Sequence, residues 1–267
     1  MDTHQYTVED LLRVMERLRD PAHGCPWDLR QDFRSIVPST LEECYELAEA
    51  IEHADYPHVA EEVGDVLFQV IFYSQLGRER GLFSFSGVVH TLVDKLLRRH
   101  PHVFAGGEIE GVVDDRIAVV QVKDSWERIK QEERSAREQH GLLDDVPVAL
   151  PALPRAQKLQ KRAARVGFDW PDGSAVFAKL DEEAGELRAA LAAGEPAAVE
   201  EEIGDLLFTC VNLARHLGVD AETALRRASL KFEGRFRVME AAVAERGQTL
   251  AELDSAGLEQ LWERSKA

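Results

Sequence analysis

Four acidic residues of this chain occur twice as a set. Glu43, Glu46, Glu62 and Asp65 reappear as Glu183, Glu186, Glu202 and Asp205, every pair separated by the same interval without a gap. Each set is an E-x-x-E followed by an E-x-x-D. Residues three apart on a helix share a face, so each motif projects two carboxylates together, and two such helices packed antiparallel bring four oxygens to one point. Carboxylates gathered out of water need a partner, and one cation serves all four. Every donor is a hard oxygen, with no His or Cys at the repeated spacing, which selects Mg²⁺ or Mn²⁺ over zinc or copper. A ferritin-type di-iron site would want Glu-x-x-His, which makes iron the lesser option. Magnesium keeps coordination positions for water and substrate phosphates, so the site suggests phosphate chemistry.

Blander readings compete with this one. Glu43 stands three residues after Thr40, a capping-box spacing, but the second set has Leu180 where Thr40 would be. Glu49 and Glu52 read as water-facing helix residues. Glu62 and Asp65 do not, because their helix continues from Val66 to Phe72 almost without a polar residue. They are expected to form a narrow polar stripe on a mostly buried helix.

The elements that must carry these acids are helical. Thr7 with Asp10 is a capping box opening an amphipathic helix with Val8, Leu11, Leu12, Met15 and Leu18 as its apolar stripe, ended by Asp20-Pro21 and Gly24-Cys25-Pro26. A second helix starts near Thr40, carries Leu41, Cys44, Tyr45, Ala48 and Ile51 on one side and stops before Pro57. A third runs from about Pro57 to Arg80, and a fourth ends at His100-Pro101. The second half repeats the plan, its last long helix spanning roughly 221–246, and no run alternates convincingly as a strand.

The repeat extends beyond the acids. Glu61 to Phe68 reads EEVGDVLF and Glu201 to Phe208 reads EEIGDLLF. At a shorter interval, Lys95 and Arg99 pair with Lys231 and Arg235, and Trp126-Glu127-Arg128 with Trp262-Glu263-Arg264. The expected organisation is an N-terminal domain over 1–138, a proline-rich linker over 139–154 holding Pro147, Pro151 and Pro154, and a C-terminal domain over 155–267. At 267 residues, each half is long enough to bury a helical core.

A net charge of −17 argues against general binding to a nucleic-acid backbone. A carboxylate-held cation still makes the site compatible with a small phosphorylated substrate. Three cysteines, Cys25, Cys44 and Cys210, show no C-x-x-C spacing, which fits a reducing cytoplasm. Neither a leader nor a membrane-spanning stretch is expected.

Taken with Gly24-Cys25-Pro26-Trp27-Asp28, Arg98-Arg99-His100-Pro101-His102-Val103-Phe104, and Gln160-Lys161-Arg162 leading to Val166-Gly167-Phe168-Asp169-Trp170, the acid motifs closely resemble the tandem-domain MazG family of nucleoside triphosphate pyrophosphohydrolases. The resemblance covers nearly the whole chain. It implies an all-α fold made of two tandem copies of a four-helix domain, usually dimeric, which hydrolyses nucleoside triphosphates to monophosphate and pyrophosphate with Mg²⁺. It also implies that Glu183, Glu186, Glu202 and Asp205 are metal ligands, and that Lys179, Lys231, Arg235 and Trp262 contact the nucleotide. Glu182, beside a ligand and rotated about 100° from it on a helix, is a candidate general base alongside Glu183, since crowded acids favour a proton-accepting role. A solvated glutamate is the competing reading of Glu182.

The copies differ in ways that favour the second as the catalyst. Lys179 has Ser39 at its counterpart, and Asn212, on the same stripe as Asp205, has Phe72. Those exchanges remove groups able to hold phosphate and sugar or base. The first copy keeps Glu43, Glu46, Glu62 and Asp65, so a second metal site there stays open. His100 and His102 beside Pro101 read as a loop that ends a helix. Two other function classes are weighed: a related reaction of the same fold, such as dUTP or phosphoribosyl-ATP pyrophosphohydrolysis, and a helical interaction module without chemistry. A scaffold has no need of the acid set twice.

Overall fold

The structure, a computed structural model, describes residues 5–113, 129 and 141–266. The expected pairing of Trp126-Glu127-Arg128 with Trp262-Glu263-Arg264 lies outside the described residues on its first side. The chain divides into two compact units, Met1–Gln131 and Glu132–Ala267. All regular structure among the described residues is helical, so the fold is all-α.

In the first unit, α1 (Val8–Leu18) opens with the expected capping box: the Asp10 N–H donates to Thr7 Oγ1, and the Thr7 N–H donates to Asp10 Oδ2 at 3.0 Å. The helix turns out through Gly24, where a Cβ would lie 2.4 Å from the Leu18 carbonyl oxygen, so only glycine fits. Helices α2 (Val37–Glu52) and α3 (Tyr56–Glu79) pack against each other, while α1 and α4 (Phe85–Arg99) pack on α3. The core is Met15, Ile36, Ile71, Phe72 and Leu76, with Leu11, Leu12, Phe33 and Phe68 against it. Phe72 is fully buried beneath the Arg19 guanidinium, 5.4 Å from the ring centroid. Burial of such a ring contributes roughly 1.5–3 kcal/mol.

The second unit repeats the pair. Helix α5 (Ala152–Ala164) begins after Pro151, placing Pro154 in a first turn that has no use for its missing N–H. An ion pair of buried Arg162 with Asp145 ties this helix to the preceding turns. Helix α6 (Gly173–Ala193) is capped by Asp172, whose side chain accepts from the Ala175 N–H at 2.9 Å, and ends on left-handed Gly194. Helix α7 (Pro196–His216) packs on α6 and α5, and α8 (Ala221–Ala244) packs on α5, α7 and α9 (Ser255–Arg264). A core of Met239, Val243 and Leu261 closes the α8–α9 end.

Three expectations change. Helix α2 starts at Val37 and not near Thr40, whose hydroxyl bonds the Ile36 carbonyl and Tyr73 Oη; capping therefore does not explain Glu43, in keeping with the missing cap residue in the second set. Val8 is exposed and contributes nothing to the α1 stripe. The acids of α3 do not lie on a mostly buried helix: Val63, Leu67 and Val70 are exposed, as are Leu41, Tyr45 and Ile51 of α2. Periodicity reports that a face is apolar, and within one unit α1 and α4 cover only one side of the α2–α3 pair.

Candidate metal centre and nucleotide site

Each helix pair presents a carboxylate trio. In the second unit, Glu183 and Glu186 of α6 and Glu202 of α7 offer oxygens within 4.8 Å of one another. In the first, Glu43, Glu46 and Glu62 do the same. The fourth acid of each set, Asp65 or Asp205, is exposed and stands outside the trio, yet close enough to act on it. Burial, then the charges of Glu186, Glu183 and Asp205, push the Glu202 carboxyl above its ordinary range. Burial, then Asp65, Glu46 and Glu62, push Glu43 the same way. Carboxylates lifted by one another are what a divalent cation relieves. A second sign points the same way: Glu62 Oε2 is buried with no hydrogen-bond partner.

The trios differ in the base beside them. Lys179 Nζ lies 2.8 Å from both Glu182 and Glu183, and those bonds hold the ammonium above its ordinary pKa. In the first unit His58 Nε2 lies 2.7 Å from Glu62 Oε1. His58 precedes Glu62 by one helical turn, a spacing readable in the sequence that sequence reasoning passed over. Its counterpart at the repeat interval is Ala198, just as Ser39 answers Lys179.

The other sequence-derived nucleotide residues fall into two further places. Arg235 stands over the Trp262 ring at 5.7 Å, Phe232 packs on the same ring at 5.4 Å, and Lys231 is exposed on α8. Among the described residues no hydrogen bond or ion pair joins these to the acids. Asn212 is 1% exposed, and its Oδ1 accepts from Arg215 Nε at 2.9 Å and Nη2 at 2.6 Å. Arg215 also pairs with Asp169, to which His216 Nε2 lies at 3.0 Å. Burial works against ionisation of Asp169, but the bonds from Arg215 and His216 outweigh it and hold the carboxyl below its ordinary range. This network was not foreseen, although Asp169 sits inside a quoted motif. It needs the 165–172 turn brought against α7, which no local spacing announces. Beside it lies a cavity of about 250 Å³ walled by Phe168, Trp170 and Phe208, with Asn212 and Gln160 on its surface.

Tandem helix pairs, each with a carboxylate trio, define the class. The MazG nucleotide pyrophosphohydrolase domain model matches residues 31–104 and 173–238, and the chain belongs to this family. It is 49% identical over 263 residues to a nucleoside triphosphate pyrophosphohydrolase of Escherichia coli (strain K12), covering 97% of both chains. It is 43% identical to the nucleoside triphosphate pyrophosphohydrolase/pyrophosphatase MazG of Thermotoga maritima, over 97% of this chain and 95% of that one. A nucleoside triphosphate pyrophosphohydrolase of Mycolicibacterium smegmatis is 32% identical over 93% of this chain and 65% of its own length.

Proposed function

We propose that this chain hydrolyses nucleoside triphosphates to monophosphate and pyrophosphate, depends on Mg²⁺ or Mn²⁺, and uses the second unit as its main catalytic site. The observation that carries the reading is the trio Glu183, Glu186 and Glu202, oxygens within 4.8 Å, with Glu202 lifted by its neighbours. These residues, with Asp205 beside them, would hold the cation. When bound, it neutralises phosphate charge and acidifies a coordinated water. In the reaction the water oxygen bonds to the α-phosphorus, the bridge oxygen leaves with pyrophosphate, and a carboxylate takes the water proton. Glu182 and Glu183 are the candidate acceptors, and Lys179, already beside both, orients them and offers its charge to a phosphate. Lys231, Arg235 and Trp262 supply cations and an aromatic face for the rest of the nucleotide.

The same reading extends to broad base specificity, nucleotide housecleaning in the cytoplasm, and a second metal site at Glu43, Glu46, Glu62 and Asp65. It also includes a homodimer, supported by the exposed apolar residues of α2 and α3, which a second copy would cover. No helix among the described residues is long and apolar enough to cross a membrane. The test is pyrophosphate release with products identified, with and without Mg²⁺. Monophosphate plus pyrophosphate is expected; diphosphate plus orthophosphate means attack at the γ-phosphorus and ends the proposal.

A further inference from the structure

The two trios share their spacing limits but not the charge set against them. In the second, buried Glu183 already has the Lys179 ammonium at 2.8 Å, one helical turn before it. In the first, Ser39 stands one turn before Glu43. Among the described residues no lysine or arginine pairs with Glu43, Glu46 or Glu62. Glu62 is met instead by His58, whose Nε2 lies 2.7 Å from Oε1. A neutral imidazole makes that contact with its proton on Nε2 and adds no charge. Metal-bound carboxylates are commonly steadied by a hydrogen bond of this kind. Glu62 is 7% exposed, and its Oε2 has no hydrogen-bond partner.

The first trio also straddles a helix pair, with Glu43 and Glu46 on α2 and Glu62 on α3. Like charges gathered there work against the packing of the pair unless something positive stands among them. Resting on the metal reading above, we infer that the first unit is a structural cation site. It holds a divalent ion in the nucleotide-free protein more tightly than the second trio does, and so ties α2 to α3. The second trio is the weaker of the two, because Lys179 opposes an incoming ion. A unit positive charge roughly 4 Å from a divalent ion weakens its binding by about tenfold or more, even where water screens the pair. His58 is a positioning residue here: it holds the Glu62 carboxylate without adding a charge that competes for it.

The probe is Mn²⁺, followed by electron paramagnetic resonance of the free ion, with the full chain stripped by chelator and no nucleotide, at pH 8. Two classes of site are expected, their Kd values about tenfold or more apart. Glu62→Gln should remove the tighter class and Glu202→Gln the weaker one. Two charge swaps test the cause without touching an acid, and serve if Glu62→Gln folds poorly. Ser39→Lys should weaken the tight class severalfold or more, and Lys179→Met should strengthen the other. The structural role shows in melting: Tm should rise and level off at Mn²⁺ concentrations that fill the tight class alone, and Glu62→Gln should lose that rise. Loss of the tight class in Glu202→Gln instead of Glu62→Gln, or Kd values indifferent to both swaps, overturns the inference and leaves the proposed reaction standing. Wild type that binds no Mn²⁺ in either unit ends the metal reading as well. The expected order of binding without pyrophosphate release from any nucleotide rejects the reaction and leaves the structural site in place.

Discussion

In the first unit Glu62 is met by the imidazole of His58, and in the second Glu183 is met by the ammonium of Lys179. Deeper in, an arginine covers the buried Phe72 ring in one unit and grips the buried Asn212 amide in the other. The acid trios have the same spacing limits, so the acids alone do not distinguish the units. Their surroundings do. In the first unit Phe72, on the helix of Glu62 and Asp65, has joined the apolar core, whereas in the second the matching Asn212 joins a polar network beside a cavity. Both copies keep a carboxylate trio, and among the described residues only the second sets a polar network beside an aromatic-walled cavity.

The widest separation between the units should come from the acids. Glu183→Ala or Asp205→Ala is expected to lower turnover a thousandfold or more, at roughly 1.4 kcal/mol per decade. Glu43→Ala and Asp65→Ala should leave much of it. Folding is checked first by circular dichroism, and equal losses from both pairs of variants would dissolve the asymmetry.

Next in size is the core exchange. Phe72→Ala removes a fully buried ring and should cost about 3–5 kcal/mol in denaturant unfolding of the first unit. Pyrophosphate release by the protein that remains folded should persist. Should activity fall before stability does, Phe72 is serving the chemistry and the division is misplaced.

The smallest effect concerns pH. The Glu43 and Glu202 carboxyls are raised in the folded chain, so folding favours their protonated forms. Their contribution to stability is present below the ordinary glutamate value of 4.5 and fades as pH rises through the folded value. A divalent cation removes that penalty and must compete with protons to bind. The rise in Tm on adding Mg²⁺ should therefore be a few degrees near neutral pH and shrink in mild acid. A shift that grows on acidification would mean the ion binds elsewhere.

Much of this arrangement could be read in the chain itself. The E-x-x-E and E-x-x-D spacings placed carboxylates on facing helices, and Thr7 with Asp10 marked where α1 begins, because both are local helix geometry. Exposure of Leu41, Tyr45 and Ile51 was not legible, since an apolar stripe carries no record of what covers it. The start of α2 was read near Thr40 and lies at Val37, since a threonine that marks a helix start can equally bond a backbone carbonyl inside the helix. The union of Asp169, Arg215 and Asn212 depends on tertiary folding, which brings residues 46 positions apart into an ion pair.

Under the proposed function, the Lys179 bridge would make loading of the second trio with a cation an exchange instead of an addition. An arriving ion does not find bare Glu183; it must displace or share with an ammonium that is already bonded there. The affinity for a cation would then be a difference between two attractions, and a singly charged ion would gain little by the trade. Released from Glu183, the same ammonium would be free to meet the negative charge of a substrate phosphate. The trio carries its own counterion, and under the proposed function a bound cation would turn that ammonium toward the substrate.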